Sequence, residues 1–404
     1  MRRRRAGLAV GTAIAAVTVV AALVAPATTA AAAEPVTDIA AKATGAAIPI
    51  QFVNLDATSS TTAARQGVNA AVKELNRTGG IAGRPIAVTE CLTDQTAEKG
   101  KACVDAAIAA KPAAVFAVQP GTAADNLPAL TTAGIPFVGQ TCNQSATLGG
   151  QYTSFCFGSD FVGLYSSAAN YLKTLGTVKK AALPYINVPA AATGIKAYAD
   201  PILARAGITP IEVPIPEGTA DVTATITPAL QANPDAVISL LTGPGCVNTM
   251  KLKASLNAAE PFVFPAMCTD PDVVSDGGTG AKGSLFVRQT IELDKKDADG
   301  RAYRRAMARF APNADPDDVY VQAGFAGMMN LASALRLVPS GTPIDATSTT
   351  AALRAAKQVP MFLTPGATYT CDGSAFAGLK SLCSIQSHVV EYRGKDAFTD
   401  KGVF

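Results

Sequence analysis

The sequence has one histidine, His388, among 404 residues, and only 16% of its residues are charged. A single imidazole excludes a metal centre built from several histidines. It also excludes any Ser–His–acid triad that does not run through His388. His388 stands in a β-like run beside Val389 and Val390, a setting that reads as structural. No two cysteines stand three apart, so the CxxC pattern of zinc and iron–sulfur sites is missing. A GxSxG nucleophile elbow is also missing. No GxGxxG follows the first strand; the one bare match, Gly278 to Gly283, neither follows a convincing strand nor opens a helix and reads as a surface turn. It is no phosphate loop either, since Gly283 rather than Ser or Thr follows Lys282. Asp294, Asp297 and Asp299, like Asp315, Asp317 and Asp318, fail EF-hand spacing and read as solvated loops. An enzyme, a resident cofactor and a metal are therefore not expected.

Acidic residues are absent before Glu34, while Arg2, Arg3, Arg4 and Arg5 open the chain. An apolar run from Ala6 to Val24 and mostly small residues from Ala25 to Ala33 follow. This order is that of a cleaved export signal, 1–33, with cleavage after Ala33 or among Ala30 to Ala32; the alternative is an uncleaved anchor. No cysteine lies near that point, so lipid attachment through an N-terminal cysteine is not expected, and no other segment approaches twenty uninterrupted apolar residues. Setting residues 1–33 apart changes the formal charge from +3 to −1, which excludes nucleic-acid binding through bulk charge. Eight cysteines in an exported chain imply four disulfides, and sequence alone allows 105 pairings. Taken in order, the pairs Cys91–Cys103, Cys142–Cys156, Cys246–Cys268 and Cys371–Cys383 each close a local loop, and these are the expected bonds.

What remains is regular. Apolar runs at 50–55, 85–91, 113–118 and 135–140 read as strands, with helices between them over 64–75, 96–110 and 123–132. The pattern restarts with a helix face from Phe161 to Leu175. Strands at 181–186, 209–215, 236–241 and 262–267 follow, with helices at 197–206, 221–232 and 249–256. A long helix at 319–338 and a β run at 388–392 close the chain. Strand–helix alternation of this kind predicts an α/β fold: two lobes, each a mostly parallel sheet covered by helices on both faces. Ligands in such sheets sit beyond the C-terminal strand ends. The residues there are small and polar: Ser59 and Ser60; Gln119, Gly121 and Thr122; Thr141, Cys142 and Asn143; Asn187; Thr242; Thr269 and Asp270. Such side chains hydrogen-bond a ligand well and make poor catalysts without a base.

The stretch Gly67-Val68-Asn69-Ala70-Ala71-Val72-Lys73-Glu74-Leu75-Asn76-Arg77-Thr78-Gly79-Gly80-Ile81-Ala82-Gly83-Arg84, with Gly134-Ile135-Pro136 and the helix from Tyr320 to Leu335, resembles the class I periplasmic-type solute-binding proteins of ABC importers. Within them it looks like the branched-chain amino acid receptor family in its actinobacterial form. The resemblance implies a class I periplasmic-binding-protein-like fold with three crossovers, near 159–163, 287–290 and 363–367. Lobe 1 would be 46–161 plus 290–363, and lobe 2 would be 162–289 plus 364–404. It implies a carboxylate pocket at Gly121, Thr122 and Ala123 and at Thr141, Cys142 and Asn143, with Asp270 as an acidic partner for an ammonium. Ser59, Ser60 and Thr61, and Asn187, Val188 and Pro189, stand where that family often has aromatic residues, which leaves room for an amide, an aromatic acid or a hydroxylated solute. The implied partners are a small solute and an ABC permease, acting on a monomer. An extracellular sensing module on the same fold and an exported enzyme are the alternatives.

Overall fold

The computed structural model describes residues 43–56, 59–219, 221–290, 297–395 and 397–404. The expected export segment and Asp294 lie outside them. Two parallel-dominated sheets organise the molecule. The first holds β1 (Ile48–Leu55), β2 (Ile86–Thr93), β3 (Ala114–Ala117), β4 (Phe137–Thr141) and β5 (Ser154–Gly158), in the order β2-β1-β3-β4-β5 and parallel throughout. Every residue of β3, β4 and β5 is buried, as strands covered on both faces require.

The second sheet contains five parallel strands: β6 (Lys180–Ile186), β7 (Thr209–Ile215), β8 (Ala236–Ile238), β9 (Phe262–Pro265) and β10 (Leu285–Arg288). A two-residue ladder, β11 (Val359–Pro360) with β12 (Thr368–Tyr369), lies outside both sheets. An antiparallel hairpin, β13 (His388–Gly394) and β14 (Ala397–Val403), extends the second sheet from β10.

The helices are α1 (Ser59–Arg77), α2 (Ala97–Ala110), α3 (Leu127–Thr132), α4 (Ser145–Leu148), α5 (Asp160–Thr174), α6 (Pro189–Gly194), α7 (Asp200–Ala206), α8 (Thr223–Gln231), α9 (Gly243–Ser255), α10 (Pro271–Gly277), α11 (Ala298–Phe310), α12 (Val319–Leu335) and α13 (Ala346–Ala355). In α1 the periodic residues Ala64, Val68, Ala71 and Leu75 are all buried on one face of the first sheet, in the same core as Val321, Phe325 and Met328 of α12. The two helices approach closely because glycines meet backbone. A Cβ on Gly67 would stand 2.0 Å from the Val321 carbonyl oxygen, and one on Gly324 2.1 Å from that of Ala64. The opposite face of the first sheet shares a continuous core with α2, α3, α5 and α7. A third core packs α8, α9 and α10 on the far face of the second sheet.

Several elements depart from expectation. Strands β5, β10 and β14 and helix α11 carry weak local signals. β14 is a polar edge strand, Ala-Phe-Thr-Asp-Lys-Gly-Val, whose order comes from pairing with β13. Two of the aspartates read as solvated loops are helix caps. Asp297 accepts from Gly300 N–H at the start of α11, and Asp318 accepts from Tyr320 and Val321 N–H at the start of α12. Asp317 pairs with Arg304. Helix α9 begins earlier than expected, with Pro244 in its first turn.

Residues 364–383 were expected with the second lobe, but their bonds run to the first sheet. Cys156 N–H donates to Ser381 O, and Cys383 N–H donates to Cys156 O. Ala367, Tyr369, Cys371 and Cys383 share the core of α1 and α12. The disulfides are Cys91–Cys103, Cys142–Cys156, Cys246–Cys268 and Cys371–Cys383. His388 is 1% exposed, with Nδ1 3.0 Å from Asp400 Oδ1. No helix among the described residues is long and apolar enough to cross a membrane, and no group of metal-ligating side chains occurs among them.

Candidate functional site

The C-terminal strand ends of both sheets open on one cleft. Val118 and Gln119 follow β3, and Thr141 ends β4. From the second sheet come Pro265, Ala266 and Met267 at the end of β9, and Val287, Gln289 and Thr290 at the end of β10. Two helix N-termini complete the wall: Asp160 and Leu164 of α5, and Val319, Tyr320 and Ala323 of α12. Ser387, just before β13, is the remaining wall residue. The walls stand close: the space between them is about 40 Å³, room for roughly three water molecules.

The lining is half apolar and half neutral-polar, with one carboxylate. Burial pushes the Asp160 carboxyl up to about 6, against a hydrogen bond from Asn143 that lowers it. No ion pair joins Asp160 among the described residues. Burial raises the Tyr320 hydroxyl to about 12, with further contributions from the charges of Asp160 and Asp318. Burial raises Asp318 as well, and the charges of Asp315 and Asp270 add to it. Ser387 is fully buried and its hydroxyl has no partner. The Arg288 guanidinium lies behind the wall. Burial brings it down to about 10, Nη2 donates to Gln322 Oε1 at 2.9 Å, and Nε has no partner.

Gln289 ties the walls together. Its Oε1 accepts from Thr141 Oγ1 at 3.3 Å, and its carbonyl oxygen accepts from Thr364 Oγ1 at 2.6 Å. A Cβ on Gly158 would stand 2.4 Å from Gln289 Nε2, so glycine lets this side chain lie across the end of β5.

Of the residues expected from the sequence, Gln119 and Thr141 line the cleft. Gly121 has φ +55° and its carbonyl accepts from Gln144 Nε2, while Thr122 Oγ1 donates to Thr96 O. Cys142 is buried in its disulfide. Asn143 Oδ1 accepts from Ser159 Oγ and Phe161 N–H at the start of α5. Asn187 and Thr242 are exposed and off the cleft lining. Thr269 Oγ1 donates to Ala266 O, and Asp270 caps α10 through Asp272 N–H. Ser59 and Ser60 open α1, and their side chains lie outside the described ones. Asp160, Gln289, Tyr320 and Ser387 were not legible as strand-end residues: Asp160 and Tyr320 sit in helix first turns, Gln289 follows β10, whose local signal is weak, and Ser387 lies in the segment before β13. An acid directly after the N-cap Ser159 was the available signal for Asp160.

No lining side chain among the described residues pairs a nucleophile with a base. The arrangement can surround a small molecule from two sides and offer it hydrogen bonds and apolar contact.

A family model described as "Periplasmic binding protein" matches residues 55–380. No curated protein matches the chain. Among solved structures, an ABC transporter substrate-binding protein from Sphaerobacter thermophilus aligns with TM-score 0.71 at 16% identity, covering 88% of this chain and 96% of its own. A leucine binding protein from Thermotoga maritima gives 0.66 at 14%, covering 88% and 98%. A fatty acid ABC transporter substrate-binding protein from Thermomonospora curvata gives 0.68 at 13%, covering 90% and 94%. At these identities the likeness is one of fold.

Proposed function

Because the chain belongs to the periplasmic binding protein family, we propose that it is an extracytoplasmic receptor that captures one small amphipathic solute of about amino-acid size between its lobes. It then hands the solute to the permease of an ABC importer. The family is one of solute-binding proteins and not of enzymes. The observation that carries the reading is the cleft itself, walled by strand ends of both sheets, the first turns of α5 and α12, and Gln289 spanning between them.

In this reading the sheets belong to two lobes that swing about three connecting segments. The first two are those expected, around 159–163 and 287–290. The third is better placed at 384–387, since residues 364–383 bond to the first sheet. Lobe 1 is then 46–161 plus 290–383, and lobe 2 is 162–289 plus 384–404. Contacts from both lobes favour the closed form, so the solute shifts the population toward it by its differential affinity.

Leucine and fatty acid in the names of two similar structures belong to those proteins, and one fold serving both leaves the solute to the wall chemistry. The test is a thermal-shift screen of amino acids, amides, amines and aromatic acids, with small-angle scattering on each hit. A true solute raises Tm and reduces the radius of gyration together. Stabilisation by no small solute, with an unchanged radius throughout, would sink the proposal.

A further inference from the structure

The wall chemistry carries the reading further, and the step rests on the solute-capture proposal above. Charge in the cleft lining has one sign. Asp160 is in the wall, and among the described residues no lysine, arginine or histidine lines it. Asp318, at the start of α12, and Asp270, at the start of α10, belong to different sheets' helices and are near enough for one carboxylate to act on the other. The nearby cation, Arg288, is directed to Gln322 and toward Asp317 and Asp318, away from the lining.

The helix N-termini at the cleft are also unsuited to an anion. A carboxylate solute would need free N–H groups there. In α5, Val162 N–H donates to Ser159 Oγ and Phe161 N–H to Asn143 Oδ1. In α12, Tyr320 and Val321 N–H donate to Asp318. In α10, Asp272 N–H donates to Asp270. Each of these first turns therefore already has N–H groups engaged, in two of the three helices by carboxylates.

One buried polar group of the lining stands without a partner among the described residues: the Ser387 hydroxyl, 0% exposed. A hydroxyl can accept from an ammonium N–H. Tyr320 also lines the space, and a tyrosine ring can receive a cation on its face. Leu164, Val287, Val319 and Met267 supply apolar wall for a hydrocarbon body.

We propose that the cleft selects a small organic cation with a short apolar body and no carboxylate, a protonated short-chain alkyl amine, whose ammonium is received by Asp160, Ser387 and Tyr320. The cation also acts on closure. Closing the cleft over the Asp160 carboxylate without a cation is disfavoured by the desolvation of that charge. An ammonium between the lobes removes that cost, so charge neutralisation and closure are one event.

Isothermal titration with matched triplets tests this: a short amine, the carboxylate and the alcohol of the same carbon skeleton. The wild-type protein is expected to bind the amine about tenfold or more tighter than either counterpart. Asp160→Asn is expected to remove that preference, and a cooperative urea transition shows separately that the variant is folded. Carboxylates or alcohols binding as well as the amines, or a preference surviving Asp160→Asn, would overturn the cation inference and leave solute capture standing. A panel in which no member of any charge binds or compacts the protein would overturn both.

Discussion

At the scale of single residues, Asp160 sets stability against binding. Its carboxyl is pushed from 3.8 to about 6 chiefly by burial, with only Asn143 to lower it. A carboxylate raised in the folded state binds more protons there than in the unfolded chain between these two values. Stability therefore falls as pH rises from about 4 to 6, and the penalty is fully present above 6. A rise of this size makes the penalty on the order of 2–3 kcal/mol. Asn143 hydrogen-bonds the carboxyl, and Tyr320 is near enough to feel its charge, as it feels that of Asp318. Asp160→Asn is accordingly expected to stabilise the ligand-free protein by about 1–3 kcal/mol at pH 7, with the gain shrinking toward zero by pH 4. Urea denaturation at the two pH values measures it. An equal effect at both would show that the carboxyl is not held in its charged form at a cost. A residue that destabilises the fold that carries it is a common mark of a site.

At the scale of elements, the contact between α1 and α12 decides how the first lobe packs, and two glycines decide the contact. An exposed helical glycine replaced by alanine gains about 1 kcal/mol. At Gly67 the added methyl would stand 2.0 Å from the Val321 carbonyl oxygen, and this is backbone that cannot swing aside. Overpacking costs about 1–3 kcal/mol or more, so Gly67→Ala is expected to destabilise by at least 1 kcal/mol net of the propensity gain. Gly324→Ala should do the same, and the double variant should cost less than the sum, since either methyl alone forces the helices apart. Additive effects in denaturant would refute the shared contact. This helix pair was legible in the sequence: Ala64, Val68, Ala71 and Leu75 have helical spacing, and the α12 stretch is apolar nearly throughout. Strand β14 was not legible, because its exposed and charged residues take their conformation from β13. The same divide runs through the site. Gln119 and Thr141 follow from the rule that ligands meet strand ends. Asp160 and Tyr320 belong to helices whose first turns meet only after the sheets are placed, and no local pattern encodes that meeting.

At the scale of the whole molecule, closure depends on which short segments bend, and the third of these separates the two ways of dividing the chain. Residues 364–367 form a turn of their own. Met361 N–H donates to Ala367 O, Ala367 N–H donates to Thr364 O, and β12 begins directly after them. Residues 384–387 instead leave Cys383, which bonds to Cys156 of β5, and reach Ser387, whose N–H donates to Phe404 O beside β14. That short run passes from one sheet to the other. One glycine inserted between Ser384 and Ile385 lengthens the connection without removing a core residue. It is expected to alter the solute-dependent change in radius of gyration while shifting the denaturation midpoint little. One glycine inserted between Gly366 and Ala367 breaks the turn that feeds β12 and shifts Ala367 and Tyr369 out of the core. It should lower the midpoint clearly and leave the scattering response of the folded fraction intact. Scattering with and without solute, beside denaturation of both variants, reads the two effects apart. The reverse pattern would return the third crossing to 363–367 and with it the lobe division implied by the sequence resemblance. The expected pattern would instead make residues 364–383 part of the fixed wall against which the second lobe closes. The Thr364–Gln289 hydrogen bond then spans from that wall to the end of β10, and the position of Gln289 reports directly on how far the lobes have come together.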